Sequence, residues 1–216
     1  MLLLLLPAAQ VLAPALAQQP VAAEPPAAAA PCQAGDLHWS AAEGMDYQRD
    51  KVELRGIVIT ECGTAMRVTA RKAEASSLSF DDSTWTLTGA VELRTGQGQL
   101  AADHATVRFL DGRLREASAH GEPATFEQQL NASESIRGTE LTARGHAQTI
   151  DYDLAGGEVR LVGEAWLTDG CNETGGERIT YNLLRKRVLA EGPEAGASGG
   201  RVQGTIRPAC KPARTP

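Results

Sequence analysis

Three sets of residues in this 216-residue chain carry side chains that could do chemistry. The first is Ser198 in "GASGG", residues 196–200, which has the G-x-S-x-G spacing of a hydrolase nucleophile. That spacing works where a strand turns sharply into a helix and lifts the hydroxyl clear of the backbone. Here it lies in a Pro/Gly/Ala stretch near the C-terminus, and no Ser/His/Asp order elsewhere completes it. Ser198 therefore reads as a linker residue, and no enzyme is expected. The second set is four histidines, His38, His104, His120 and His146. None stands at ligand spacing to another or to a cysteine, so no metal and no cofactor is expected, and His146 reads as a turn residue. The third set is Cys32, Cys62, Cys171 and Cys210. An even number of cysteines behind an export leader reads as two disulfides.

The leader is "MLLLLLPAAQVLAPALA", residues 1–17, ending in Ala15-Leu16-Ala17 before Gln18. That is the A-x-A pattern of a cleaved signal peptide, although no positive residue stands near its start. Pro7, Gln10 and Pro14 break the apolar run and leave it short for a membrane span. Residues 18–36 are Ala/Pro-rich and read as a disordered leader. The folded body is expected over 37–208, followed by a tail over 209–216. The net charge of -6 comes without a long run of either sign. Phosphate binding needs a basic face, so nucleic acid is excluded as a partner.

The elements that position these residues are short alternating segments. In "EVRLVGEAWLT", residues 158–168, apolar side chains recur at Val159, Leu161, Ala165 and Leu167 around Gly163. This is strand periodicity, and a glycine inside a strand marks a bend or a close backbone approach. The pattern recurs at Gly56, Gly89, Gly121 and Gly192, with apolar residues two and four positions before each glycine. Between the glycines lies a second element, seen as "RVTARKAE", "QLAADHAT", "ELTARGHA" and "ETGGERIT". The polar stretch Glu127 to Glu140 reads as an insertion that lengthens one interval. The unit is two short strands with their turns. It has one apolar face, which only stacking can bury. The fold class is all-β.

Residues 144–192 carry three phrases: Gly145-His146-Ala147 with Ile150 and Tyr152-Asp153, then Leu161, Gly163, Ala165 and Leu167, then Gly176, Ile179 and Tyr181. In these phrases the segment resembles the periplasmic bridge family of the lipopolysaccharide-transport (Lpt) machinery, the OstA-like family. "GRVQGTIRP", Gly200 to Pro208, is similar to the family's last strand, and a looser likeness runs back to about Leu37. The resemblance implies an open β-jelly-roll, a V-shaped stack of antiparallel strands. It also implies a periplasmic carrier that binds lipopolysaccharide, shields the acyl chains of its lipid A, and joins other copies and the inner- and outer-membrane Lpt components edge to edge. The alternative is an adaptor β-domain with a dry core that docks on an envelope partner.

The inner, lipid-facing set expected from the alternation is Val52, Leu54, Val58, Val68, Trp85, Leu87, Val91, Leu93, Leu100, Val159, Leu161, Leu167, Ile179 and Val188. Tyr152 and Tyr181 are expected to close the stack by packing and a hydroxyl hydrogen bond. Rungs about 4.8 Å apart put Cys62 and Cys171 beyond disulfide reach. The expected pairs are therefore Cys32–Cys62 and Cys171–Cys210, one at each end.

Overall fold

The computed structural model describes residues 32–133, 135, 140–193 and 201–207. The signal peptide, most of the leader, Ser198, Cys210 and the tail expected at 209–216 lie outside these residues. Within them the alternating segments become eleven strands. They are β1 (Leu37–Gln48), β2 (Lys51–Glu61), β3 (Arg67–Ala75), β4 (Asp82–Arg94), β5 (Gly98–Leu110), β6 (Arg113–Leu130), β7 (Leu141–Asp153), β8 (Glu158–Thr168), β9 (Glu173–Asn182), β10 (Arg187–Glu191) and β11 (Gln203–Thr205). All pairs are antiparallel, and each strand from β1 to β10 pairs with its neighbours in sequence. β11 also pairs with β9. β6 runs to Leu130, so the first four residues of the expected insertion are strand.

The strands from β1 to β9 are longer than the repeat suggested because each is two half-strands joined at an irregular point. The register slips at Ala41/Gly44, Thr69/Lys72, Thr88/Val91, Ala101/His104, His120/Ala124, His146/Thr149 and Val162/Ala165. Pairing places these points beside one another, so they form one crease across the sheet. Gly56, Gly89, Gly121 and Gly163 stand on it, in β2, β4, β6 and β8. Gly56, Gly89 and Gly163 have φ of 65°, 80° and 79°, a region that costs an L-residue roughly 1–2 kcal/mol. Space is also short there. A Cβ on Gly163 would stand 2.6 Å from Gln148 Oε1 and 3.1 Å from Gln148 Cβ, on the neighbouring strand.

A bulge puts extra residues on one side of a strand and so changes which residues face inward. β2 buries Val52 and Leu54 before the crease, then Ile57 and Ile59 after it. Val58, expected on the inner face, points outward beside Ser40 and Thr69. This corrects the reading of even alternation through Gly56. In β4 and β8 the left-handed region takes two consecutive residues, Gly89-Ala90 and Gly163-Glu164. The inward set there keeps its parity across the crease.

At the crease the sheet folds back on itself. Gln128 pairs with Ala143, nine residues from Tyr152 along β7, or roughly 30 Å in an extended strand. Yet the Tyr152 hydroxyl is 3.1 Å from Gln128 Oε1. The two half-sheets, here called arms, therefore face each other across a shared interior. Arm one ends in the turns at 49–50, 111–112 and 154–157, and arm two in those at 95–97 and 169–172 and where β6 ends at Leu130. Gly145 on arm two is packed by Leu161 from arm one, whose Cδ2 would lie 2.6 Å from an added Cβ.

The ends of the stack differ. β1 forms one end, and the chain before it is tied down. Cys32 and Cys62 form a disulfide with Cα atoms 5.8 Å apart. Gly35 and Cys62 donate backbone hydrogen bonds to Cys62 and Asp36. Residues 32–36 are thus an ordered turn rather than part of a disordered leader. At the other end the last rung is split. β10 covers β9 on arm one and β11 covers it on arm two. Cys171 is disulfide-bonded, and its expected partner, Cys210, is outside the described residues.

Two predictions follow from the crease. Gly163→Ala should cost about 2 kcal/mol in chemical denaturation, from strained φ plus the clash with Gln148. Gly112→Ala, in a turn with φ of 68° and nothing within 4 Å of an added Cβ, should cost only about 1 kcal/mol. The parity change predicts that Ile59→Ala destabilises by about 2–4 kcal/mol while Val58→Ala costs less than about 1. Equal effects would place the slip elsewhere.

Candidate functional site

The shared interior is an apolar trough running the length of the stack. Of the residues expected on its wall, Val52, Leu54, Val68, Trp85, Leu87, Val159, Leu161 and Ile179 are 0 % exposed, and Val91, Leu93, Leu100 and Leu167 are at most 5 % exposed. Val188, in the last rung, is half-buried against the same core. Only Val58 leaves the set. The wall also includes Ile57, Ile59, Phe109, Phe126 and Ile150, each at most 3 % exposed. Simple alternation missed Ile57 and Ile59 because of the crease, and the repeat gave no anchor for the other three. Alanines fill much of the rest, among them Ala73, Ala119, Ala124 and Ala143 at 0 %. Small side chains let the arms approach closely and leave the interior nearly sealed.

Side chains of both arms meet inside. Phe126 of arm two and Tyr152 of arm one make an edge contact with ring centroids 5.9 Å apart and planes at 87°. Beside it, the Tyr152 hydroxyl donates to Gln128 Oε1. The expected packing-plus-hydroxyl role of Tyr152 is what the geometry displays. Tyr181 is buried at 2 %, next to Val159 in the register.

The trough opens at the two ends. In β1, Trp39, Met45 and Tyr47 lie opposite Ile59, Leu54 and Val52 and so continue the inner face. No further rung covers them, and Met45 and Tyr47 are 49 % and 58 % exposed. At the far end a cleft of about 430 Å3 is lined by Leu167 and Thr174 together with Val188, Val202 and Ile206. Val202 and Ile206 are 45 % and 78 % exposed. The apolar mouths flank strands whose outer edges have no partner strand among the described residues. Such edges offer unpaired backbone donors and acceptors to another chain.

The outer faces are polar. Lys51, Glu53, Lys72 and Glu74 form a surface network, with Lys51–Glu74 at 2.6 Å and Lys72 3.1 Å from Glu53 and 3.2 Å from Glu74. Hydrogen bonds from Lys72 and Lys51 hold the Glu53 and Glu74 carboxyls below their usual range, and the bond to Glu53 holds Lys72 above its own. Along the outside of the crease a cleft of about 1090 Å3 gathers His104, His120 and His146 with Asp103, Glu122 and Glu164. His120 Nδ1 is 3.0 Å from Thr149 Oγ1, and His146 stacks on Trp166 at 5.2 Å. Ser118 Oγ lies 3.5 Å from His120 Nε2 and donates to Asp151 Oδ1 at 2.6 Å. The carboxylate thus bonds the hydroxyl and not the imidazole, which is the wrong order for a hydrolytic triad. Cys32, His38 and Cys62 lie together with their ligand atoms within 4.8 Å of one another. The two sulfurs are bonded to each other, so they offer no thiolate.

Comparison with known proteins agrees with this geometry. Residues 67–187, more than half the chain, match the family described as LptA/(LptD N-terminal domain) LPS transport protein. Over 121 residues the chain is 27 % identical to lipopolysaccharide export system protein LptA of Escherichia coli K12, a match covering 55 % of this chain and 62 % of that one. LptA of Shigella flexneri matches to the same extent. The matched region thus spans less than two thirds of these relatives' length. Among solved structures, LptH of Pseudomonas aeruginosa superposes with a TM-score of 0.51 at 23 % identity, covering 66 % of this chain and 95 % of that one. That protein is described as the LptA-homologous periplasmic component of the lipopolysaccharide transport device, and at this identity the likeness speaks to the fold. With an all-β creased sheet, an apolar interior and a family match over its central strands, this chain belongs to the LptA/LptD N-terminal domain family of lipopolysaccharide-transport proteins.

Proposed function

We propose that this chain binds lipopolysaccharide, shields the acyl chains of its lipid A between the two arms, and passes them along the trough from one copy to the next. One observation carries this reading. The inner face stays apolar from β1 to the last rung and ends in apolar mouths beside strand edges that have no partner strand among the described residues. Each methylene moved out of water contributes roughly 0.8 kcal/mol, so several acyl chains would be held firmly by a wall without polar anchors at every step. Many similar contacts also leave the cargo free to slide. Copies would join head to tail, β1 of one against β10 and β11 of the next, by adding strand to strand. The ends of the assembly would meet the inner-membrane-anchored and outer-membrane Lpt components.

In this reading residues 1–17 are a cleaved signal peptide, residues 18–36 a leader, 37–208 the carrier body and 209–216 a tail. The protein works in the periplasm, where an oxidising environment suits disulfides. Cys32–Cys62 holds the start of the body, and a Cys171–Cys210 bond would hold its end. The chain acts by binding, without catalysis.

A second reading is favoured by a different observation. The interior is sealed, with most of its wall wholly buried, as in a dry core. Under that reading the chain is an adaptor that docks on an envelope partner and carries no lipid.

The deciding experiment places photo-crosslinking residues singly at Leu87, Leu161 and Leu167, with Glu53 and Arg160 on the outer face as controls, in cells that make lipopolysaccharide. Adducts to lipopolysaccharide at the three inner sites and not at the controls are expected. A folded, exported protein without adducts at any inner site would leave the adaptor reading.

A further inference from the structure

Among the described residues the arms are joined by backbone only at the crease. Elsewhere they meet through side chains, and the contact between Tyr152 and Gln128 differs in kind from the apolar packing around it. Both residues lie near the lip of the V, away from the crease. Tyr152 is four residues beyond Gln148, and Gln128 is five beyond Pro123. Tyr152 belongs to arm one, opposite Val159 and Ala117, and Gln128 to arm two, opposite Ala143 and Gly98. The hydrogen bond between them is 3.1 Å long. The Gln128 amide is fixed on its other side, where Nε2 donates to the Gln129 carbonyl at 3.3 Å. Gln128 is only 3 % exposed.

A buried amide that loses its partner keeps the cost of having left water. Apolar contacts along the lip weaken gradually as the arms part, but a directional hydrogen bond is either made or lost. The pair therefore favours one closed spacing of the arms. On the reading that the trough takes acyl chains, that spacing has to change, because the wall is sealed in the closed form. We propose that Tyr152 and Gln128 are a clasp across the lip of the trough that must part before an acyl chain can enter. Phe126, packed edge-on against the Tyr152 ring, sets the orientation of the hydroxyl. When the clasp opens, the phenol and the amide face the entering chain at the point where its polar carbonyl end follows the hydrocarbon. They would then bond to that end in place of each other. The clasp thus admits amphiphiles with a hydrogen-bonding group at the head of the chain.

The test is the rate at which the full chain, with its disulfides intact, takes up cis-parinaric acid, a fatty acid that fluoresces in apolar surroundings. Tyr152→Phe removes one oxygen and leaves the ring. Gln128→Leu keeps the bulk and removes the amide. Both should raise the association rate about fivefold, the change that about 1 kcal/mol gives and the size of one net hydrogen bond. Gly112→Ala strains the turn at the end of arm one without touching the bond or the wall and should keep the wild-type rate. If the wild type takes up the probe and Tyr152→Phe does so no faster, the clasp is overturned while the carrier reading stands. An equal acceleration in Gly112→Ala also overturns it, since general loosening would then suffice. If neither the wild type nor any variant brightens the probe, the carrier reading falls and the clasp with it.

Discussion

The structure depends on the alignment of its irregular points. A bulge in one strand bends that strand. Bulges at the same level in successive strands bend the whole sheet along one line. The slips from β1 to β9 lie side by side in the register, and glycines in β2, β4, β6 and β8 stand at that line. Without this alignment a sheet with one apolar face would need a second sheet or a layer of helices to cover it. With it, one sheet supplies both walls of its own interior.

The same bend sets the chemistry of the two surfaces. Inside, consecutive half-strands turn alanines, valines and leucines toward each other, and the Tyr152–Gln128 hydrogen bond joins the arms. Outside, β3, β5 and β7 present two successive residues at the crease, among them Asp103 with His104 and Gln148 with Thr149. This concentrates polar groups on the ridge while the interior stays apolar. On the ridge His120 is engaged by hydroxyls and His146 by Trp166, as structural side chains are.

Much of this was legible in the sequence. Period-two alternation identified the strands, the recurring glycines identified the repeat, and the Cys32–Cys62 pair followed from rung spacing. Twelve inner residues, from Val52 to Ile179, are buried as alternation requires. Val58 shows where that logic stops. A strand that slips by one residue at Gly56 exchanges its faces, and the sequence alone does not reveal whether a glycine takes up one residue of slip or two. Gly89-Ala90 and Gly163-Glu164 take two, so the readings around them held. Gln128 was hidden for another reason. A glutamine in a polar stretch looks solvated, and only the fold-back brings it to Tyr152. The split last rung was also invisible, since five residues of β10 and three of β11 are short to read as halves of one strand.

The meander order of the strands has a consequence for size. Each hairpin pairs with the one before it, and no strand is inserted between earlier neighbours. The number of hairpins therefore fixes how long the trough is, while the distance from crease to turn fixes how wide it is. These are separate dimensions. Adding or deleting a hairpin would lengthen or shorten the conduit without altering its bore, and a change in half-strand length would alter the bore without changing its reach.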